Sequence, residues 1–325
     1  MSNNTMDMTR IIFTVVLLAT TIYSNAQVKF TFAGGIENPT MKSSMESDIS
    51  KLLTEMNDAQ EADRTLNLNG INMSSRAKVR LTSLWNSLHL KCEVKDNIQE
   101  CIENSTGLEV RRIPVEVIPR DSTCQGALHK ELTIRLCKDG TISGVNLSLD
   151  NQTFQNLMKE GITDSDINRR RDILDTVEII CSYYNEKNLA ALNDFFQDSE
   201  SVVMVGKMET SVKGNHPKNS AENQEFPYTR QGIEQYITRL KKIFMRSRCI
   251  HTDITDIQLT RYMTRENFYK FRMRLTLTTE HYIDDSYILF VWECRDEKNP
   301  VIHIKGWIPY SPNLKEDDLE VFFDI

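Results

Sequence analysis

Residues 268–279 alternate without a break. Tyr269, Phe271, Met273, Leu275 and Leu277 are apolar, and Lys270, Arg272, Arg274, Thr276 and Thr278 stand between them. A period of two places the two sets on opposite faces of a strand, so this segment demands a sheet with one face buried and one face wet. Two further strands are expected at Tyr287–Cys294 and Val301–Trp307, joined by the turn residues Asp296 to Pro300. Upstream the period changes. Ile173, Val177, Ile180, Cys181 and Tyr184 form one stripe of an amphipathic helix. Asn185 to Asn188 reads as a turn into a short helix through Leu189, Leu192 and Phe195. A strand at Val202–Val205, a polar loop over Ser211–Glu225 and a helix carrying Ile233, Tyr236, Ile237, Leu240 and Phe244 complete the run. The fold class is therefore α+β, with helices packed on an antiparallel sheet.

The first half of the chain repeats this order. Met45, Ile49, Leu52, Leu53 and Met56 have the offsets of the stripe that starts at Ile173. A strand at Leu66–Ile71 and a helix through Ala77, Leu81, Leu84, Trp85 and Leu88 are expected next. Strands at Val110–Ile118, Glu131–Cys137 and Thr141–Leu149 follow, the last two joined by the hairpin signal Lys138-Asp139-Gly140. The ordered match points to a degenerate tandem duplication; an unrelated α/β domain is the alternative. The polar stretch Glu160 to Asp166 marks the boundary, giving domains 27–160 and 161–325.

The N-terminus has the order of a signal peptide: Arg10, an apolar run from Ile11 to Ile22, then Ser24 and Ala26 at the positions a signal peptidase reads. The run is about 12 residues against the roughly 20 needed to span a bilayer. Cleavage is expected between Ala26 and Gln27, with a periplasmic or secreted product and no transmembrane segment in what remains. The net charge is −7, and the only compact basic run is Arg169-Arg170-Arg171, read as a solvated first helical turn, so nucleic acid is not an expected partner. Seven cysteines lie beyond residue 26. Export permits disulfides, and Cys92 with Cys101 and Cys124 with Cys137 are the candidate pairs, against the alternative of small buried residues. Cys181 is the natural free thiol. No zinc spacing, phosphate loop, dinucleotide fingerprint or hydrolase motif is present, so no metal and no cofactor are expected.

The phrase Ile180-Cys181-Ser182-Tyr183-Tyr184-Asn185-Glu186-Lys187-Asn188-Leu189-Ala190-Ala191-Leu192, with Ile302-His303-Ile304 through Trp307 and Pro309, resembles the nuclear transport factor 2-like superfamily. That resemblance implies cone-shaped, cystatin-like α+β domains, each enclosing a cavity between helices and a curved sheet. Tyr184, Trp292, His303 and Trp307 are its candidate lining residues, although strand alternation puts His303 on the wet face. Asp253, Asp256, Asp284 and Asp285 read as solvated carboxylates. The expectation leans away from an enzyme: an exported binding or interaction protein, taking a small apolar ligand or another protein in its cavity. An isomerase, dehydratase or cyclase in the C-terminal cavity is one alternative, and a structural cell-surface module with filled cavities is another. A homodimer through the sheet face fits the aromatic residues clustered there, and the apolar end of the acidic tail Leu314–Ile325 is expected to dock on the body.

Overall fold

The computed structural model describes residues 27–104, 107–120, 128–197, 202–206, 228–231 and 233–312, apart from 249, 266, 282 and 295–300, together with 314 and 319. Two sheets of six strands carry the fold. The first is built from β1 (Lys29–Gly34), β2 (Leu88–Cys92), β3 (Asp96–Asn104), β4 (Gly107–Pro119), β5 (Leu128–Leu136) and β6 (Ile142–Leu147), with helices α1 (Pro39–Glu61) and α2 (Ser75–Trp85) between β1 and β2. Its order is β1-β3-β4-β5-β6, and β2 pairs with the far end of β4. The second is built from β7 (Val202–Gly206), β8 (Tyr228–Gln231), β9 (Ile250–Arg261), β10 (Phe268–Thr279), β11 (Ile283–Glu293) and β12 (Val301–Pro309), in the order β8-β7-β12-β11-β10-β9. Helix α3 (Asn151–Lys159) links the halves, and α4 (Asp164–Asn185), α5 (Leu189–Gln197) and α6 (Ile233–Arg246) belong to the second. Pairing is antiparallel except for β1 with β3 and β7 with β12.

The second half has the order its residues imply, helix, short helix, strand, helix and then strands, with one further strand, β8, that the reading misses between β7 and α6, and β10 spans the alternating segment from end to end. Tyr269, Phe271, Met273, Leu275 and Leu277 are buried and face the helices. The sequence reading misses β9, whose mostly polar residues give an edge strand no apolar period. It also misses β1, although Val28, Phe30 and Phe32 alternate there, each about 2% exposed. The backbone amides of these three residues donate to Thr54 Oγ1 (3.0 Å), Ser50 Oγ (2.9 Å) and Glu46 Oε1 (2.8 Å). Positions 46, 50 and 54 share one face of α1, so a polar helical stripe satisfies an edge that a strand would otherwise occupy.

Three expectations in the first half need correction. Leu66–Ile71 is a connection, not a strand: Asn67, Asn69 and Gly70 (φ +74°) turn the chain, and Leu68 and Ile71 plug into the core. Helix α2 stops at Trp85, because Leu88 already opens β2. Cys92 and Cys101 are free thiols. They pair with Val115 and Val110 on β4, five residues apart, which at 3.3–3.4 Å per residue is roughly 17 Å, far outside disulfide reach. The polar stretch between them is not a closed loop: residues 93–95 are the break between two strands, and the rest is the first part of β3. Cys137 is also a free thiol, and Cys124 lies outside the described residues. The hairpin at Lys138-Asp139-Gly140 forms as read: Gly140 has φ +86°, and its amide donates to Cys137 O at 2.9 Å.

The buried apolar residues separate into one core running from Val28 to Val145 and another from Leu149 to Ile302. Phe154 and Leu157 place α3 with the second core. A third, small group lies on the outer face of the second sheet, where Leu319 of the tail is buried with Leu289, Val291 and Ile308. The tail therefore returns to the body at Leu319; residues 320–325 lie outside the described part.

Candidate functional site

Helix α4 organises both places where chemistry could sit. It opens on a reciprocal cap, in which the Thr163 hydroxyl accepts from Asp166 N and the Asp166 carboxylate accepts from Ile162 N. It closes at Lys187, in the left-handed region at φ 54°, whose amine donates to the last carbonyls after α6. Arg170 is not a solvated first-turn residue. It is buried, and its Nη1 donates to Leu157 O and Leu259 O at 3.0 Å each.

One face of α4 looks into the C-terminal cone. There Tyr184 meets Tyr236 of α6, hydroxyl to hydroxyl at 2.6 Å, and Trp307 of β12 stacks obliquely on both, with centroids at 6.5 and 5.3 Å. Burial pushes both tyrosines up, so the pair is neutral at ordinary pH. Trp292 is not part of this group. Trp307 lies opposite Ile288 and Trp292 is four residues further along β11, roughly 13 Å away, packed edge-on against Phe290. Between the two ends Phe290 stacks on Phe271, with centroids at 5.9 Å, and meets Phe195 edge-on at 6.4 Å. His303 is on β12, but its side chain lies outside the described residues. At the Trp292 end, Tyr269 donates to Asp166 at 2.6 Å. Burial would raise the Asp166 carboxyl, but this bond, the Ile162 amide and Arg170 outweigh it and hold the group below its usual value. It is a structural carboxylate.

The opposite face of α4 packs on the first sheet through charge. A bulge in β4 between Val110 and Ile113, with Arg112 at φ 66°, resets the alternation. Val110 and Ile113 therefore both stay in the core while Glu109 and Arg111 turn toward the helix. Arg111 forks onto Glu178, Arg135 Nη2 reaches Glu178 Oε2 at 3.0 Å, and the Leu149 amide donates to Glu178 Oε1 at 2.9 Å. Asp175 is held more loosely, at 3.3 Å from Arg135 and 3.4 Å from Arg111. Burial pushes its carboxyl up to about 7, the charges of Glu109 and Glu178 add to the rise, and the two arginines oppose it. A second link lies beside α2, where Arg80 pairs with Glu186 and Asn146 and lies over the Tyr183 ring.

Above this cluster the two halves flank a half-open cleft of about 470 Å³, within the usual range for small-ligand sites. Cys181, Ser182 and Asn185 of α4 form its floor. Lys130 and Glu131 of β5 stand on one wall and Thr252 to Thr255 of β9 on the other. Lys130 Nζ crosses to Asp253 Oδ1 at 2.5 Å, so Asp253 is a paired carboxylate rather than a merely solvated one. Asn185 spends its carbonyl on the amide and hydroxyl of Thr252, both at 2.9 Å, and its amide nitrogen keeps its donors for the cleft. Glu131 makes no ion pair within the described residues, and burial raises its carboxyl. The Cys181 thiol is pushed up by burial and stays protonated. Nothing in the sequence marks this place. Asp175, Glu178, Cys181, Ser182 and Asn185 recur at helical spacing as an ordinary polar stripe, and their partners lie far away along the chain.

Among the described residues no group of His, Cys, Asp and Glu is placed to hold a metal ion, and no helix is long and apolar enough to cross a membrane. No family model matches the chain, and no curated protein matches it. Solved structures are similar to it at low identity. A putative dehydratase of the NTF2-like family from Streptomyces avermitilis is 10% identical, with a TM-score of 0.27 over 41% of this chain and 88% of that one. The β subunit of benzoate 1,2-dioxygenase from Burkholderia mallei is 12% identical, with a TM-score of 0.30 over 45% and 93%. Naphthalene 1,2-dioxygenase with indole bound in its active site is 10% identical, with a TM-score of 0.30 over 52% and 86%. At these scores the likenesses carry no argument about activity. The strand order and pairing define the class: an α+β chain built on two six-stranded sheets.

Proposed function

We propose that this chain is an exported, non-catalytic binding protein whose ligand site is the cleft between its two halves. The cleft carries the proposal. It is half open to solvent, crossed by one ion pair, and lined by an amide nitrogen and a carboxylate that the protein itself does not use. Its lining, with Lys130, Glu131, Asn185 and Asp253, favours a small polar ligand over the apolar one expected in the cone. Among the described residues of the cone, Asp166 is held ionised by its partners and the tyrosine pair is neutral, which favours binding over isomerase or cyclase chemistry. Export rests on the N-terminal segment, and processing after Ala26 would leave intact the whole of β1 and the buried Val28 just before it. The two halves read as a degenerate tandem. A sheet-face dimer would require Leu319 to leave the outer face of the second sheet.

The test is a thermal-shift screen of the mature chain against free amino acids, amino sugars and neutral saccharides, repeated with Thr255→Trp, which places a large ring at the cleft wall. Hits that vanish in the variant support the site. Hits unchanged in the variant remove the cleft from the account.

A further inference from the structure

The charged layer under the cleft is unbalanced. Two guanidinium groups, Arg111 and Arg135, face three carboxylates, Glu109, Asp175 and Glu178, and all five side chains are nearly excluded from solvent. With every group ionised the layer holds one uncompensated negative charge; a single proton makes it neutral. We propose that this layer is a proton-operated clasp: with Asp175 protonated the halves close on each other, and with Asp175 ionised they loosen and the cleft above widens.

Geometry selects Asp175 as the seat of the proton. Glu178 has four donors, three from the arginines and one from Leu149. Asp175 has only long contacts: Arg111, Arg135 and, from β3, the Asn104 amide at 3.4 Å. The groups that face it are Asn104 of β3, Glu109 and Arg111 of β4, Arg135 of β5 and, on its own helix, Glu178. Arg135 Nε and Nη1 are buried donors without acceptors and Glu109 Oε1 is a buried acceptor without a donor, so the layer is incompletely paired, and the donors that Arg135 does engage go to Glu178 at 3.0 Å and only at 3.3 Å to Asp175. The coupling to the cleft is direct, because Glu178 and Leu149 belong to both the clasp and the cleft wall.

A group whose folded-state pKa is raised contributes stability that is complete below its unfolded value and disappears as pH rises through the folded one. For Asp175 that window runs from the ordinary carboxylate value to about 7. Melting temperature and proteolysis of the mature chain, followed from pH 5 to 8.5 for the wild type, Asp175→Asn and Glu109→Gln, test the clasp. The wild type should lose several degrees more than Asp175→Asn across this range and be cut about tenfold faster near residues 148–151 at the upper end. Glu109→Gln leaves two carboxylates for two arginines, so its pH response should flatten as well. A carboxyl-carbon NMR titration that places Asp175 above pH 6 supports the clasp. It is overturned if either variant keeps the wild-type pH response, or if Asp175 titrates below pH 5.

Discussion

Glu178 is almost completely buried and accepts from two arginines and a backbone amide at once. A carboxylate in that position stabilises nothing by itself; it is tolerated because every partner is present. Removing one partner should therefore cost far more than removing an exposed bridge. Arg111→Ala is expected to destabilise the chain by about 3–5 kcal/mol in urea unfolding, whereas Lys130→Ala, at the cleft mouth, should cost under about 1 kcal/mol. His251 has the opposite pH sense to Asp175. Burial lowers its pKa to about 4, with help from the Lys130 charge. Stability from a neutral buried histidine is present above its unfolded value and is lost as pH falls through the folded one, so His251→Gln should flatten the loss of melting temperature between pH 6.5 and 4. None of these residues was legible as a site. A charged side chain on an amphipathic helix or strand reads as solvated unless its distant partner is known.

At the scale of elements, local periodicity carried most of the reading. The alternation in β10 and the stripe of α4 come from short-range spacing, and both elements formed where the spacing put them. The hairpin at Gly140 and the turn at Asn185 to Asn188 were legible for the same reason. Edge elements were not, since β9 is polar on both sides and β1 gains its bonds from helix side chains rather than from a second neighbour. Ser50→Ala tests that arrangement: it leaves the Phe30 amide without an acceptor and should cost about 1–3 kcal/mol, read by chemical denaturation, with no change in the C-terminal half. The bulge of β4 was present in the sequence as a fault in the alternation. Val110 and Ile113 are three apart yet both buried, and that spacing is what aims Arg111 at α4.

At the scale of the molecule, one helix serves two bodies. The apolar stripe of α4 completes the C-terminal cone, while its polar stripe receives the first sheet through Glu109, Arg111 and Arg135. Sequence separates these halves by a polar stretch near residue 160, and the buried cores divide between Val145 and Leu149, so α3 works for the half that follows it. The tail adds a further whole-chain link, and Leu319→Asp should lower the melting temperature and raise self-association, measured by light scattering, by uncovering Leu289 and Val291. The cleft arises only from this assembly, which is why it could not be read from either half. A crystal structure of the mature chain grown with the strongest polar hit of the screen tests the central claim most directly. The account predicts density between Lys130, Glu131, Asn185 and Thr252 to Thr255; density inside the cone beside Tyr184, Tyr236 and Trp307, with the cleft empty, would contradict it.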